Sequence, residues 1–266
     1  MATSVGNLRR VRKLGPRKLA PGDQVELVDH LGELRTRLMI SFIALGVAFA
    51  ATFAYHHLLI NLLNRPLDHA HIKPVTLGVA EPFMTSIKVS LFAAFGVALP
   101  VITWQVWGFF APAFSRGSKA SLAGFFSVAT VLFVGGLAFG YFIALPSAVK
   151  FLTGYDSTLY EVQVRAQDYY TFSAMAIIAC AIVFELPVML LALVRFGVLP
   201  IEKLRGNRRI GYVCVAVIGV ALPGVDPVTT FIEMIPLWIL YEATVWVAIV
   251  LDKRWSRQKA IADAAE

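Results

Sequence analysis

A chain of 266 residues that is 58% hydrophobic and 15% charged is not a water-soluble domain, because globular proteins carry about 25% charged residues. The net charge of +7 invites a nucleic-acid reading. Its distribution excludes one, since the basic residues sit in clusters between long apolar runs. Those runs dictate an integral, all-α membrane protein. Cys180 and Cys214 each fall inside an apolar run, so no disulfide framework is expected.

Residues 1–22 form a basic, Gly- and Pro-containing tail suited to anionic lipid. Asp23 with Glu26 three positions on resembles a capping box. From there Val28, Leu31, Leu34 and Leu38 recur at three- and four-residue steps, with Glu26, Asp29, Glu33 and Arg37 on the other face. The spacing predicts an amphipathic surface helix running directly into a first span, 38–59. That run starts too late and lasts too long for a cleaved signal peptide. An interfacial loop with His56, His57, His69 and His71 should follow, its spacing matching no zinc signature.

Pro82 suits the first turn of a second span, 83–111, which Pro100 should kink. A third span, 122–145, carries Gly135, Gly136 and Gly140, either for close helix packing or as tolerated glycines. A fourth, 169–194, holds Glu185 two residues before Pro187. A carboxylate at that depth costs about 2.5–3.5 kcal/mol on insertion scales, and the proline frees the carbonyl of Val183. Glu185 is therefore a functional candidate facing protein or a watery recess. The alternative is a protonated acid satisfied by a neighbouring helix.

The last two runs, 210–222 and 231–251, are short or interrupted by Glu233, Pro236 and Glu242, so local membrane thinning is expected. With both termini cytoplasmic, 19 of the 24 Lys and Arg fall on the cytoplasmic side, a strong positive-inside bias. The resulting architecture has six transmembrane helices, with a membrane domain over 23–252 between cytoplasmic tails 1–22 and 253–266. No Ser/His or Cys/His pairing, phosphate-binding loop or HExxH sequence points to an enzyme, and no cofactor or metal site is expected.

The motifs carry a resemblance. His30-Leu31-Gly32-Glu33-Leu34-Arg35-Thr36-Arg37 is similar to the HLxELRxR signature of the TatC family, the multispanning receptor of twin-arginine protein translocation. Glu81-Pro82-Phe83, Trp104-Gln105-Val106-Trp107, the run from Phe109 to Pro112, Phe184-Glu185-Leu186-Pro187, Asp226, Ile235-Pro236 and Glu242 follow in the family's order. The resemblance covers about residues 25–255. It implies a cupped, concave bundle in the cell membrane that binds signal peptides with paired arginines on folded precursors. It further implies single-span partners of the TatA and TatB kind, homo-oligomers within the complex, and export driven by the proton-motive force.

On that resemblance Glu33, Arg35 and Phe109 belong to the signal-peptide site, Pro82 and Asp226 to sensitive loop positions, and Glu185, Pro187, Thr230 and Glu242 to intramembrane or partner contacts. Glu185 would line a concave pocket. The family usually has a second loop glutamate where Ser118 stands here, so Glu26 or Asp29 is the candidate for the second charge. The competing class is a proton-coupled small-molecule transporter with Glu185 as relay.

Overall fold

The computed structural model describes residues 27–69, 72–110, 119–160, 162–224 and 226–263. Among them every regular element is helical, apart from one isolated parallel bridge between Val75 and Arg165. The basic tail, Glu26, Ser118 and Glu161 lie outside the described residues, as does the side chain of Asp29.

Helix α1 (Leu27–Ala54) runs unbroken from its amphipathic turns into the first apolar stretch, as the spacing predicts. It packs on α3 (Glu81–Phe110) along a seam of Ala48, Ala94 and Ala98. Small side chains let the two backbones approach. Thr52 adds a hydrogen bond across the seam, donating to the Ser90 carbonyl at 2.8 Å.

The first apolar helix ends at Ala54, not near residue 59, and the histidine-bearing stretch is not a loop. It folds as α2 (His56–His69), because Leu59, Leu63 and Leu67 recur every four residues and make one apolar face. That face packs with Val89, Leu145, Tyr169 and Tyr170. Pro66 sits inside α2 and offers no N–H to the Leu62 carbonyl. The Tyr141 hydroxyl donates to that carbonyl at 3.0 Å. The Tyr169 hydroxyl donates to the Leu63 carbonyl at 2.6 Å and that of Tyr170 to Asn64 Oδ1 at 2.5 Å. Three tyrosines thus rivet α2 to the bundle.

Helix α4 (Lys119–Phe139), a π turn (Gly140–Ala144) and α5 (Leu145–Gly154) form one continuous rod, longer than the predicted third span. Its neighbour is α6 (Ala166–Val183). A Cβ at Gly136 would stand 2.7 Å from the Cα of Ala181, and one at Gly140 would stand 3.0 Å from the Cα of Ile177. Gly135 has nothing within 4 Å. Close packing explains the first two glycines, and tolerance the third. Past the π turn, Leu145 and Val149 join the α2 cluster.

Helix α6 stops at Val183 and α7 (Leu186–Arg195) resumes after Phe184 and Glu185, with Pro187 in its first turn. A short α8 (Ile201–Gly206) interrupts the basic connection before α9 (Arg208–Ala221). At 1.5 Å per residue the 14 residues of α9 reach about 21 Å, less than a 30 Å hydrocarbon core. The last helix corrects the expectation of a short sixth span. Helix α10 (Pro227–Asp263) runs through Pro236, and its apolar part, Pro227–Asp252, is 26 residues long. Its acids do not interrupt it because each is absorbed laterally, Glu233 beside Cys180 and Glu242 by Arg208. Among the described residues five helical segments are long and apolar enough to cross a membrane; α9 falls short of that length.

Candidate functional site

Polar groups collect at both ends of the bundle and at one break in its middle. At the first end, the start of α1 meets the end of α3. Arg37 donates from Nε and Nη2 to Glu33 Oε1 at 2.9 and 2.6 Å. Its Nη1 reaches the backbone oxygen and Oε1 of Gln105, both at 3.4 Å. The guanidinium lies over Gly108, where any side chain would collide with Nη1. Glu33 and Arg37 are 25% and 24% exposed, so the pair is partly dehydrated yet reachable.

Phe109 is half-buried beside Gly108 in the last turn of α3, and Arg35 is exposed on another face of α1. Trp107 anchors this end of α3, packed with Ala129, Val188 and Ala192 and with its ring 5.4 Å from Phe125. The structure thus brings Glu33 and the Phe109 turn together, through Arg37 and Gln105. Neither Arg37 nor Gln105 was singled out as a site residue from sequence. The four-residue spacing of Glu33 and Arg37 was the available signal.

The break lies in the fourth apolar segment. Glu185 N–H donates to the Ile182 carbonyl at 3.0 Å, and the Val188 N–H to the Glu185 carbonyl at 3.0 Å. Pro187 has no N–H to offer Val183. The Glu185 side chain is half-buried, and its Oε1 is inaccessible with no hydrogen-bond partner among the described residues. One turn to either side, Ile182 and Met189 are 45% and 57% exposed, so Glu185 belongs to the outward face. Phe184 points the other way, stacked on Phe139 at 5.4 Å. A groove of about 360 Å³ opens beside the break between α7, α9 and α10. Pro187 lines it and Glu185 does not.

At the opposite end Glu81 is 5% exposed and accepts four hydrogen bonds. These come from the N–H groups of Leu77 at 3.0 Å, Gly78 at 3.2 Å and Gln167 at 3.2 Å, and from Arg165 Nε at 3.1 Å. The hydrogen bond to Glu81 raises the Arg165 guanidinium above its ordinary value. Residues 72–80 are thereby fastened to the start of α6, beside the bridge where Ala166 N–H donates to the Val75 carbonyl at 2.8 Å. Pro82 follows in the first turn of α3. From sequence Glu81 stood only as part of the Glu81-Pro82-Phe83 motif, without a role of its own, though an acid at a helix N-terminus was there to be read.

Asp226 caps α10: it is 2% exposed, and its Oδ1 accepts the Thr229 N–H at 2.7 Å. Thr230 is half-buried and turns its hydroxyl back to the Asp226 carbonyl at 2.9 Å. Asp226, Thr229 and Glu233 share one buried face, where Cys180 Sγ donates to Glu233 Oε1 at 3.7 Å. Further along α10, Glu242 pairs with Arg208 Nη1 at 3.1 Å and accepts the Tyr212 hydroxyl. Arg208 also lies 5.8 Å over the Trp246 ring. Tyr212, Trp238 and Ile239 surround Glu242 in an open recess.

This arrangement has known counterparts. The sequence profile of the family described as Sec-independent protein translocase protein (TatC) matches residues 29–236. The chain belongs to the TatC family. The TatC protein of Aquifex aeolicus is 35% identical over 237 residues, covering 88% of this chain and 97% of its own. That of Desulforapulum autotrophicum is 33% identical over 229 residues, 85% of each chain. A crystal structure of the twin arginine translocase receptor TatC in DDM superposes with a TM-score of 0.73 at 33% identity, over 82% of this chain and 99% of that one. A second crystal structure of that receptor gives a TM-score of 0.72. The chain is accordingly a multi-pass cell-membrane component of a protein translocase.

Proposed function

We propose that this TatC-family chain is the receptor core of a twin-arginine translocase, and that Glu33 accepts an arginine of the signal peptide. The observation that carries this reading is the Glu33–Arg37–Gln105 arrangement at the start of α1. A carboxylate there is one-quarter exposed, held at the boundary between polar and apolar turns, and already bonded by a guanidinium. Both bonds from Arg37 end on Oε1, which leaves Oε2 as the acceptor for a visiting arginine. A forked guanidinium matches such a carboxylate better than an ammonium does. Glu26 or Asp29 supplies the second charge for the arginine pair, in place of the glutamate that Ser118 replaces.

In this reading α9 is the fifth of six spans, and both termini face the cytoplasm with the basic clusters. Single-span partners of the TatA and TatB kind dock on the α9–α10 face near Thr230 and the Glu242 recess, where the short α9 thins the bilayer. Copies of the chain assemble within the complex, and the proton-motive force drives transport. Glu185 offers a hydrogen-bonding point to an inserted peptide or a partner's polar group.

The test is site-specific crosslinking of a photoreactive signal peptide to residue 33 in membranes. An arginine-pair peptide should crosslink strongly. A lysine-pair version should crosslink about tenfold less, the loss of one good charge-assisted bond. Equal crosslinking of the two peptides would overturn the assignment.

A further inference from the structure

The groove beside Pro187 has no role in the receptor reading, and its shape and chemistry are specific. It runs along α9 between α7 and α10, with Lys203 and Asn207 at one end and Ile218 at the other. From Asn207 to Ile218, at 1.5 Å per residue, the distance is about 16 Å. That is close to half of a 30 Å hydrocarbon core, the depth of one leaflet. A slot one leaflet deep, with a cavity volume of about 360 Å³, matches the reach of a single hydrocarbon chain.

Its lining agrees. Leu190, Leu240 and Ile218 form apolar walls, and the Thr244 hydroxyl on the same wall is turned back onto the Leu240 carbonyl at 2.6 Å. The charged and amide side chains of the lining sit at the mouth, where Lys203 and Asn207 are both exposed. An ammonium and an amide donor above an apolar slot one leaflet deep complement a phosphate that carries an acyl chain. We propose that this groove is a binding site for one acyl chain of an anionic phospholipid, with its headgroup held by Lys203 and Asn207. The site stands independently of signal-peptide recognition.

A built-in reporter makes the test direct. Cys214 lines the groove and is exposed, whereas Cys180 is buried. The full chain is reconstituted into nanodiscs of phosphatidylcholine with rising fractions of phosphatidylglycerol, and the alkylation rate of Cys214 by N-ethylmaleimide is measured. Phosphatidylglycerol should slow alkylation about tenfold, the effect of one charge-assisted hydrogen bond on occupancy. Lys203→Gln should abolish the difference between the two lipids. Native mass spectrometry of the detergent-solubilised wild type should retain one anionic phospholipid per chain. Alkylation that ignores lipid composition would overturn the proposal, because it would mean the groove is empty or filled by protein. Equal protection by the two lipids would overturn it as well.

Discussion

Gly136→Ala tests the seam between α4 and α6 most sharply. The added Cβ would lie 2.7 Å from the Cα of Ala181 and 2.9 Å from the Cβ of Phe184, against an ordinary contact of 3.4 Å or more. Backbone cannot rotate away as a side-chain tip can, so the two helices must part by about 0.7 Å. A gap of about 0.5–1 Å forfeits a quarter to a half of each dispersion well along the seam, and overpacking of this kind costs about 1–3 kcal/mol. Gly135→Ala, one residue away, meets nothing within 4 Å and should gain the backbone term of about 0.5–1 kcal/mol. The backbone term is common to both variants, so they should differ by the overpacking cost alone, about 2 kcal/mol or about thirtyfold in the folding constant. Unfolding by SDS titration in mixed micelles, followed by tryptophan fluorescence, measures that difference. A Gly136→Ala protein as stable as Gly135→Ala would refute the close-packed seam. Gly140→Ala, 3.0 Å from the Ile177 Cα, should cost less on top of Gly136→Ala than alone, because one displacement relieves both.

Glu81→Gln should release residues 72–80 from Arg165, seen as faster amide hydrogen exchange at Leu77, Gly78 and Gln167 with the rest of the chain unchanged; unchanged exchange there would remove Glu81 as the fastening point. Asp226→Ala should lose about 1 kcal/mol from the missing N-cap, while Asp226→Asn keeps a side-chain oxygen for the Thr229 N–H and should lose only a few tenths. Equal losses in that pair would assign the effect to the charge and not to the cap. Arg37→Gln removes the cation that occupies Glu33 and should raise the affinity for an arginine-pair signal peptide in a fluorescence-anisotropy titration. A fall in affinity would show that Arg37 positions the acid rather than competing for it.

The apolar runs were legible because they are long and periodic, and so were the features set by a single residue. Pro82 does open α3, Asp226 does cap α10, and Pro187 does end the helical ladder at Val183. What escaped was settled by partners distant in sequence. Helix α2 read as a loop because its histidines and Pro66 outweigh three leucines locally. The hydroxyl that tolerates Pro66 belongs to Tyr141, 79 residues away. The last apolar helix, α10, read as short because Glu233 and Glu242 count against burial until Cys180 and Arg208 stand beside them. The fastening role of Glu81 escaped for the same reason, since Arg165 reaches it from a separation of 84 residues. At the candidate receptor site, Glu33 was visible as an acid at a membrane boundary. The bond that its partner Arg37 donates to Gln105 on α3 was not.

The π turn at Gly140–Ala144 acts as a phase shifter in the rod it interrupts. One surplus residue rotates everything after it by about 100° relative to an uninterrupted α-helix. The first half of the rod can then present Gly136 to α6 while the second half aims Leu145 and Val149 at the tyrosine-riveted α2. Deleting a single residue there would heal the helix and swing those two side chains off their cluster, with every atom of the Gly136 seam left in place. The number of residues in this stretch is consequently a structural parameter in its own right, as binding on the sequence as the identity of either glycine.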